Sequence, residues 1–149
     1  MDYKRFLKNN LIKRQEPDLN QITHQLKRSL KDLKTAEANL EIDPTWSFTI
    51  AYQAMIRAGR ALMYSKGFLP TTKYSHKTIV EFTRLTLGHE YHNLISRFNR
   101  MRRQRHNFIY ETKNHISPHE VKHSIEAAKK LIDKIIDFVE KENPQMDLF

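Results

Sequence analysis

The stretch Arg97-Phe-Asn-Arg-Met-Arg-Arg-Gln-Arg-His-Asn-Phe-Ile-Tyr-Glu111 sets five arginines beside a histidine and a tyrosine on what reads as one continuous helix. Guanidinium groups hold anions, and imidazole and phenol move or orient protons, so these residue types together suit acid–base work on an anionic ligand. Tyr91, Leu94, Ile95, Phe98, Met101, Phe108 and Ile109 recur at helical spacing and define an apolar stripe. Arg105 falls at the centre of that stripe, where a leucine is expected. A buried arginine needs either partners or a functional cavity. Arg102, His106 and Tyr110 stack at i, i+4 spacing along the flank of the stripe. The competing reading is structural: arginines on a helix form a solvated face, with Arg105 paired to Glu111 or Glu81.

The chain that must position these groups has 149 residues, a size that suits one domain with one core, and is 39% hydrophobic. Gly totals 3 and Pro 5, β-branched residues form no alternating runs, and helix formers dominate, so an all-α chain is expected. Lys plus Arg number 26 against 17 acidic residues, a net charge of +9 that favours an anionic partner such as nucleic acid, with Arg97, Arg100 and Arg103 as binding candidates. Cysteine is absent, which excludes disulfides and thiolate metal sites. There is neither an apolar core of signal-peptide length at the N-terminus nor a membrane-spanning run, so a soluble cytoplasmic protein without membrane association is expected.

Tyr3, Phe6, Leu7, Leu11 and Ile12 make a short opening amphipathic helix that stops near Gln15-Glu-Pro17 and is free to dock late or exchange between protomers. A second helix starts near Asp18 with Leu19, Ile22, Leu26, Leu30, Leu33, Ala36 and Leu40 on one face and a lysine-rich solvated face opposite. From Pro44 to Lys66 apolar residues point several ways with alanines and Gly59 between them, the pattern of a central helix touched on most sides. Gly67 is the expected terminator, Phe68-Leu-Pro70-Thr-Thr a loop, and Ser75 the N-cap of a helix running to Gly88. The arginine-rich helix spans roughly 89–113. Ser117-Pro118-His119-Glu120 opens the last helix with a capping box, and Asn143-Pro144 ends it. Short connections between long helices imply an antiparallel bundle of four to five long helices plus the short N-terminal one. A single domain over 1–149 is expected: an arm over 1–17, the bundle over 18–143 and a tail over 144–149.

The run Ile50-Ala-Tyr-Gln-Ala-Met-Ile-Arg-Ala-Gly-Arg-Ala-Leu-Met-Tyr-Ser-Lys-Gly67, then Pro70, then His76 with Val80 and Phe82, then Arg105-His-Asn-Phe-Ile-Tyr110, resembles the HEPN domain over most of residues 18–140. HEPN domains are helical bundles, often dimeric, in which an arginine and a histidine four to six residues later meet in a cleft. Many are metal-independent RNases acting as toxins or antiviral effectors, frequently beside a minimal nucleotidyltransferase antitoxin. The resemblance maps the family's arginine onto Arg105, followed by the polar His106, and puts Tyr110 where the histidine usually stands. A phenol, with an unperturbed pKa of about 10, is a poorer acid–base group at neutral pH than imidazole. A second register, Arg100 to His106, meets the spacing, but Arg100 projects about 120° away from His106. For an active site the resemblance implies that His106 takes the 2′-hydroxyl proton, Arg105 and Arg102 stabilise the phosphorane, and Tyr110 orients or donates, with no cofactor or metal.

Two further motifs stand out. His119-Glu-Val-Lys-His123 matches the H-E-x-x-H pattern of zinc peptidases, yet Glu120 is already the capping partner of Ser117 and the sequence nominates no third ligand. Gln145-Met-Asp-Leu-Phe149 resembles the pentapeptide by which bacterial replication and repair proteins bind the sliding clamp, with Gln145, Leu148 and Phe149 as anchors; the alternative is that Leu148 and Phe149 pack back on the bundle. The sequence thus predicts an RNA-binding HEPN-like homodimer acting as a metal-independent endoribonuclease in a toxin–antitoxin or defence pair. The alternative is a non-catalytic antitoxin or adaptor that holds a partner protein or nucleotide.

Overall fold

A computed structural model describes residues 2–110 and 116–146, with the side chains of all but Ile109 and Tyr110. The order is α1 (Lys4–Lys8), β1 (Ile12–Arg14), α2 (Leu19–Asn39), α3 (Pro44–Ser65), β2 (Phe68–Pro70), α4 (Ser75–Leu87), a 3-10 turn (His89–Tyr91), α5 (His92–Tyr110) and α6 (Pro118–Glu142). The expected all-α bundle is what forms, with one small two-stranded sheet added to it.

Helix boundaries follow local chemistry. The Asp18 carboxylate caps α2 by accepting from the Asn20 and Gln21 amides at 3.0 and 3.1 Å. Asp43 caps α3 by accepting from the Trp46 amide at 3.1 Å, with Pro44 in the first turn. Ser117 accepts from the Glu120 amide at 3.2 Å, so α6 begins where its capping sequence places it. Gly67, at φ +90°, ends α3 in a conformation that L residues avoid. Ser75 does not cap α4: the preceding residue, Tyr74, adopts a left-handed conformation with φ +53° and gives no side-chain cap, and Ser75 is already helical.

Helix α3 is the hub, packing against α2, α4, α5 and α6, as its many-sided apolar pattern predicts. Ala51, Ala54, Ala58, Gly59 and Ala61 are buried and let neighbouring helices approach closely. Closest of all is Gly59, where a Cβ would lie 2.6 Å from Ile79 Cγ2 of α4. Phe48, Tyr52, Met55, Leu62 and Met63 fill the space between helices with Phe82, Phe98, Leu131 and Ile132.

The opening helix ends at Lys8, short of Leu11 and Ile12, and Ile12 belongs to β1 instead; the expectation for its partner segment needs correction too. Phe68–Pro70 is not a loop: it pairs antiparallel with β1 in the register Ile12↔Pro70, Lys13↔Leu69 and Arg14↔Phe68, extended by Gln15 N–H to Gly67 O at 2.9 Å. The opening segment therefore docks on its own bundle. Tyr3 stacks on Phe82 with ring centroids 4.2 Å apart, and its hydroxyl lies 2.8 Å from Thr86 Oγ1. Strands of three residues carry no alternating pattern long enough to see in sequence. The lysine-rich face of α2 is solvated as expected, with Lys27, Lys31 and Lys34 exposed, while Ser29 and Asp32 are buried at the packed side of the helix.

Candidate functional site

The arginines of α5 separate into two places. Ile95, Phe98 and Met101 are buried, fixing the rotation of the helix, while Tyr91, Leu94 and Phe108 are partly buried. With that rotation Arg105 is half-buried at the wall of a cavity of about 540 Å³ that also touches α2 and α3. Arg97 and Arg100 line a different, open groove against His123, Glu126 and Lys130 of α6. Arg103 is exposed.

Arg105 carries its charge over the Tyr52 ring, with Cζ 5.8 Å from the centroid. That contact is a cation–π interaction of the kind worth about 0.5–2 kcal/mol. Of the partners expected in the structural reading, Glu81 pairs instead with Arg84 of its own helix at 3.4 Å, and Glu111 lies outside the described residues. Among the described residues Arg105 forms no ion pair, and its Nε has no hydrogen-bond acceptor. An arginine placed this way retains its capacity to bind an anion.

Beneath it, the Tyr52 hydroxyl lies 2.9 Å from Nδ1 of His76, joining α3 to α4. Burial raises the Tyr52 phenol far above its ordinary value, against the opposing pull of Arg105 and Arg102, so it stays protonated. Burial also lowers His76 below 6.5, and the Arg105 and Arg102 charges lower it further, so the ring is neutral at physiological pH. His76 lines a second cavity, of about 460 Å³, which shares Gln53 and Arg57 with the first. Arg57 is held by Asp32, whose other oxygen accepts from Arg28: the Nε–Oδ distances are 3.2 and 3.1 Å. Arg57 also donates to Gln25 Oε1 at 2.7 Å. The Asp32 carboxylate is thereby neutralised and does not repel an anion at Arg105.

The structure thus brings together Arg105, Arg102, Tyr52 and His76 from three helices. Arg102 donates from Nε to Asn99 Oδ1 at 3.1 Å. His106 is exposed on α5, since adjacent helical residues project about 100° apart. The side chain of Tyr110 lies outside the described residues. Tyr52 and His76 were visible in sequence as part of the resemblance but not as site residues, because the face of α3 and α4 they occupy is set by packing. The one available signal was a tyrosine and a histidine at otherwise apolar helical positions.

Arg97 Nη2 donates to Ser124 Oγ at 3.5 Å, its Nε has no acceptor among the described residues, and burial together with Arg100 lowers its pKa while Glu120 opposes the shift. On α6, His119 and His123 are exposed with Nε2 atoms 3.3 Å apart, and His123 Nδ1 lies 3.6 Å from Glu126. Among the described residues no group of three or more His, Cys, Asp or Glu is arranged to hold a metal ion. In the tail, Gln145 is exposed and Met146 packs on the core, while Leu148 and Phe149 lie outside the described residues. Among the described residues no helix is long and apolar enough to cross a membrane.

The fold is thus a helical bundle with Arg105 half-buried at the wall of an interhelical cavity and, among the described residues, outside any ion pair. Residues 23–141 match the family model for the HEPN domain, and the chain belongs to the HEPN family. No curated protein matches it.

Proposed function

We propose that this HEPN protein binds RNA and cleaves it at the Arg105 cleft. The observation that supports this reading best is the guanidinium of Arg105, without an ion pair among the described residues and seated over Tyr52 beside a neutral His76. Arg105, with the charge of Arg102 behind it, would hold the scissile phosphate and stabilise the extra negative charge of the phosphorane. In the tautomer with its proton on Nδ1, His76 donates to the Tyr52 oxygen and keeps Nε2 free to take the 2′-hydroxyl proton. The 2′-oxygen then attacks phosphorus and the 5′-oxygen leaves, taking a proton from solvent, to give a 2′,3′-cyclic phosphate and a 5′-hydroxyl end. His106, exposed on the same helix, is the competing base.

The biological setting that fits the family is a toxin–antitoxin or defence pair, with a homodimer as the working unit and a nucleotidyltransferase as the antitoxin. A non-cleaving RNA-binding module is the second reading, favoured by Tyr110 at the position where the family's histidine usually stands. Incubating the protein with tRNA and ribosomal RNA in EDTA separates the two. Cleavage that falls about a hundredfold in Arg105→Ala and in His76→Ala, with the fold intact, supports the proposal. Loss in His106→Ala but not His76→Ala moves the base to His106, and RNA bound without cleavage by the wild type selects the second reading.

A further inference from the structure

We propose that the cavity between α2, α3 and α5 is a stacking pocket for one unpaired nucleobase, with Trp46 as its platform. The inference rests on the RNA-binding reading above and adds to it the element that would choose which nucleotide sits beside Arg105.

Trp46 is the chain's single tryptophan, and it is 56% exposed at the cavity rather than in the core. Its backbone is fixed: Asp43 accepts from its amide in the first turn of α3. An indole held at a cavity wall with much of its face in water is a surface that gains by being covered. The cavity, at about 540 Å³, has the volume of a small-ligand site. Its apolar walls come from Trp46, Ile50 and Phe108, and Phe108 is braced edge-on against Phe48 with centroids 5.2 Å apart.

The polar groups on the same walls match the edge of a base and its phosphate. Gln53 has no hydrogen-bond partner among the described residues and offers both donors and an acceptor. Arg105, whose buried Nε has no acceptor among the described residues, contributes a charge for the phosphate. Arg57 is committed to Asp32 and Gln25 and keeps that wall neutral. A nucleobase joins these two properties, a π-face for the aromatic wall and in-plane polar atoms for the amide. A second copy of the chain would cover Trp46 together with its exposed neighbour Ile42, but it would have to bring polar partners of its own for Gln53 and Arg105.

Fluorescence anisotropy distinguishes these outcomes, using a short single-stranded oligoribonucleotide and the same backbone carrying abasic positions. The wild type is expected to bind the normal strand roughly tenfold more tightly than the abasic one, as stacking of one base supplies. Trp46→Ala should abolish that difference and Trp46→Phe should keep most of it, while Arg105→Ala should weaken both strands alike. Saturable quenching of Trp46 emission by the normal strand, and not by the abasic one, is the second supporting result. Equal binding of the two strands, or wild-type discrimination in Trp46→Ala, overturns the pocket. If Arg105→Ala still weakens binding in that case, RNA binding at the cleft survives without it. A Trp46→Ala protein that changes oligomeric state yet discriminates as before makes this face an interface and likewise overturns the pocket. If neither strand binds, the pocket and the RNA reading fall together.

Discussion

Tyr52 lies between a guanidinium and an imidazole, and its position couples the charge of α5 to the protonation of α4. Because His76 titrates below 6.5 in the folded chain, the fold prefers its neutral form. In the unfolded chain the ring takes up a proton at about pH 6.5. Its contribution to stability is therefore complete above that value and is lost as pH falls through the lowered folded value. Thermal denaturation between pH 5 and 8 should show the melting temperature falling on the acid side, and His76→Gln should flatten that fall. The same coupling applies to activity. Removing the Arg105 charge raises His76, so residual cleavage by Arg105→Lys, which keeps a charge, should retain the wild-type acid limb, whereas that of Arg105→Ala should shift to higher pH. Equal acid limbs in the two variants would assign the base to another residue. At this scale the sequence marked Arg105 as anomalous from its place in an apolar stripe. It did not mark Tyr52 or His76, since a tyrosine or histidine among apolar neighbours is usually a satisfied core residue.

The helices themselves were readable because their ends carry local chemistry: Asp18, Asp43 and Ser117 accept from amides in the first turns they precede. Gly67 closes α3 for an equally local reason, its positive φ. The contact of α3 with α4 depends on a different glycine. At Gly59 an added methyl meets Ile79 Cγ2 at 2.6 Å and Thr83 Oγ1 at 3.1 Å. Gly59→Ala should gain about 1 kcal/mol of helix propensity yet lose about 1–3 kcal/mol to overpacking, a net destabilisation read from chemical denaturation. It should also pull His76 away from Tyr52, because α4 carries that imidazole. A more stable Gly59→Ala protein would show that α4 adjusts freely and does not fix the site. The β1–β2 pair was invisible for the converse reason: neither strand holds a signal alone, and Phe68–Pro70 becomes a strand only when Ile12–Arg14 arrives beside it.

In a molecule of net charge +9, the arginines of α5 divide between the Arg105 cleft and the Arg97–Arg100 groove, which face different neighbours of α5. For a single strand that spans both, each neutralised phosphate contributes about 0.7 to the slope of log affinity against log salt. Arg97→Ala and Arg100→Ala should each reduce that slope by about this amount while leaving the preference for the normal over the abasic strand unchanged. An unaltered slope in both variants would remove the groove from the RNA path. The N-terminal segment belongs to the same scale. Tyr3 and Phe6 pack against Phe82, so it joins the core at α4.

Composition and periodicity were enough to specify the long helices, their order and the Asp18 and Ser117 starts of α2 and α6, because those depend on interactions within a few residues, though not the start of α4 at Ser75. The same patterns placed α3 at the centre and put an arginine where a core residue belongs. What neighbours that arginine was decided only by tertiary structure. The rotation of α5 about its axis follows from burying Ile95, Phe98 and Met101 together, and that rotation sends Arg105 toward Tyr52 and leaves His106 in solvent. His76 joins the site from 29 positions away in sequence because Gly59 lets α4 approach α3. Local sequence sets which residues share a helix face; which faces meet depends on how the side chains of all the helices fill the common core.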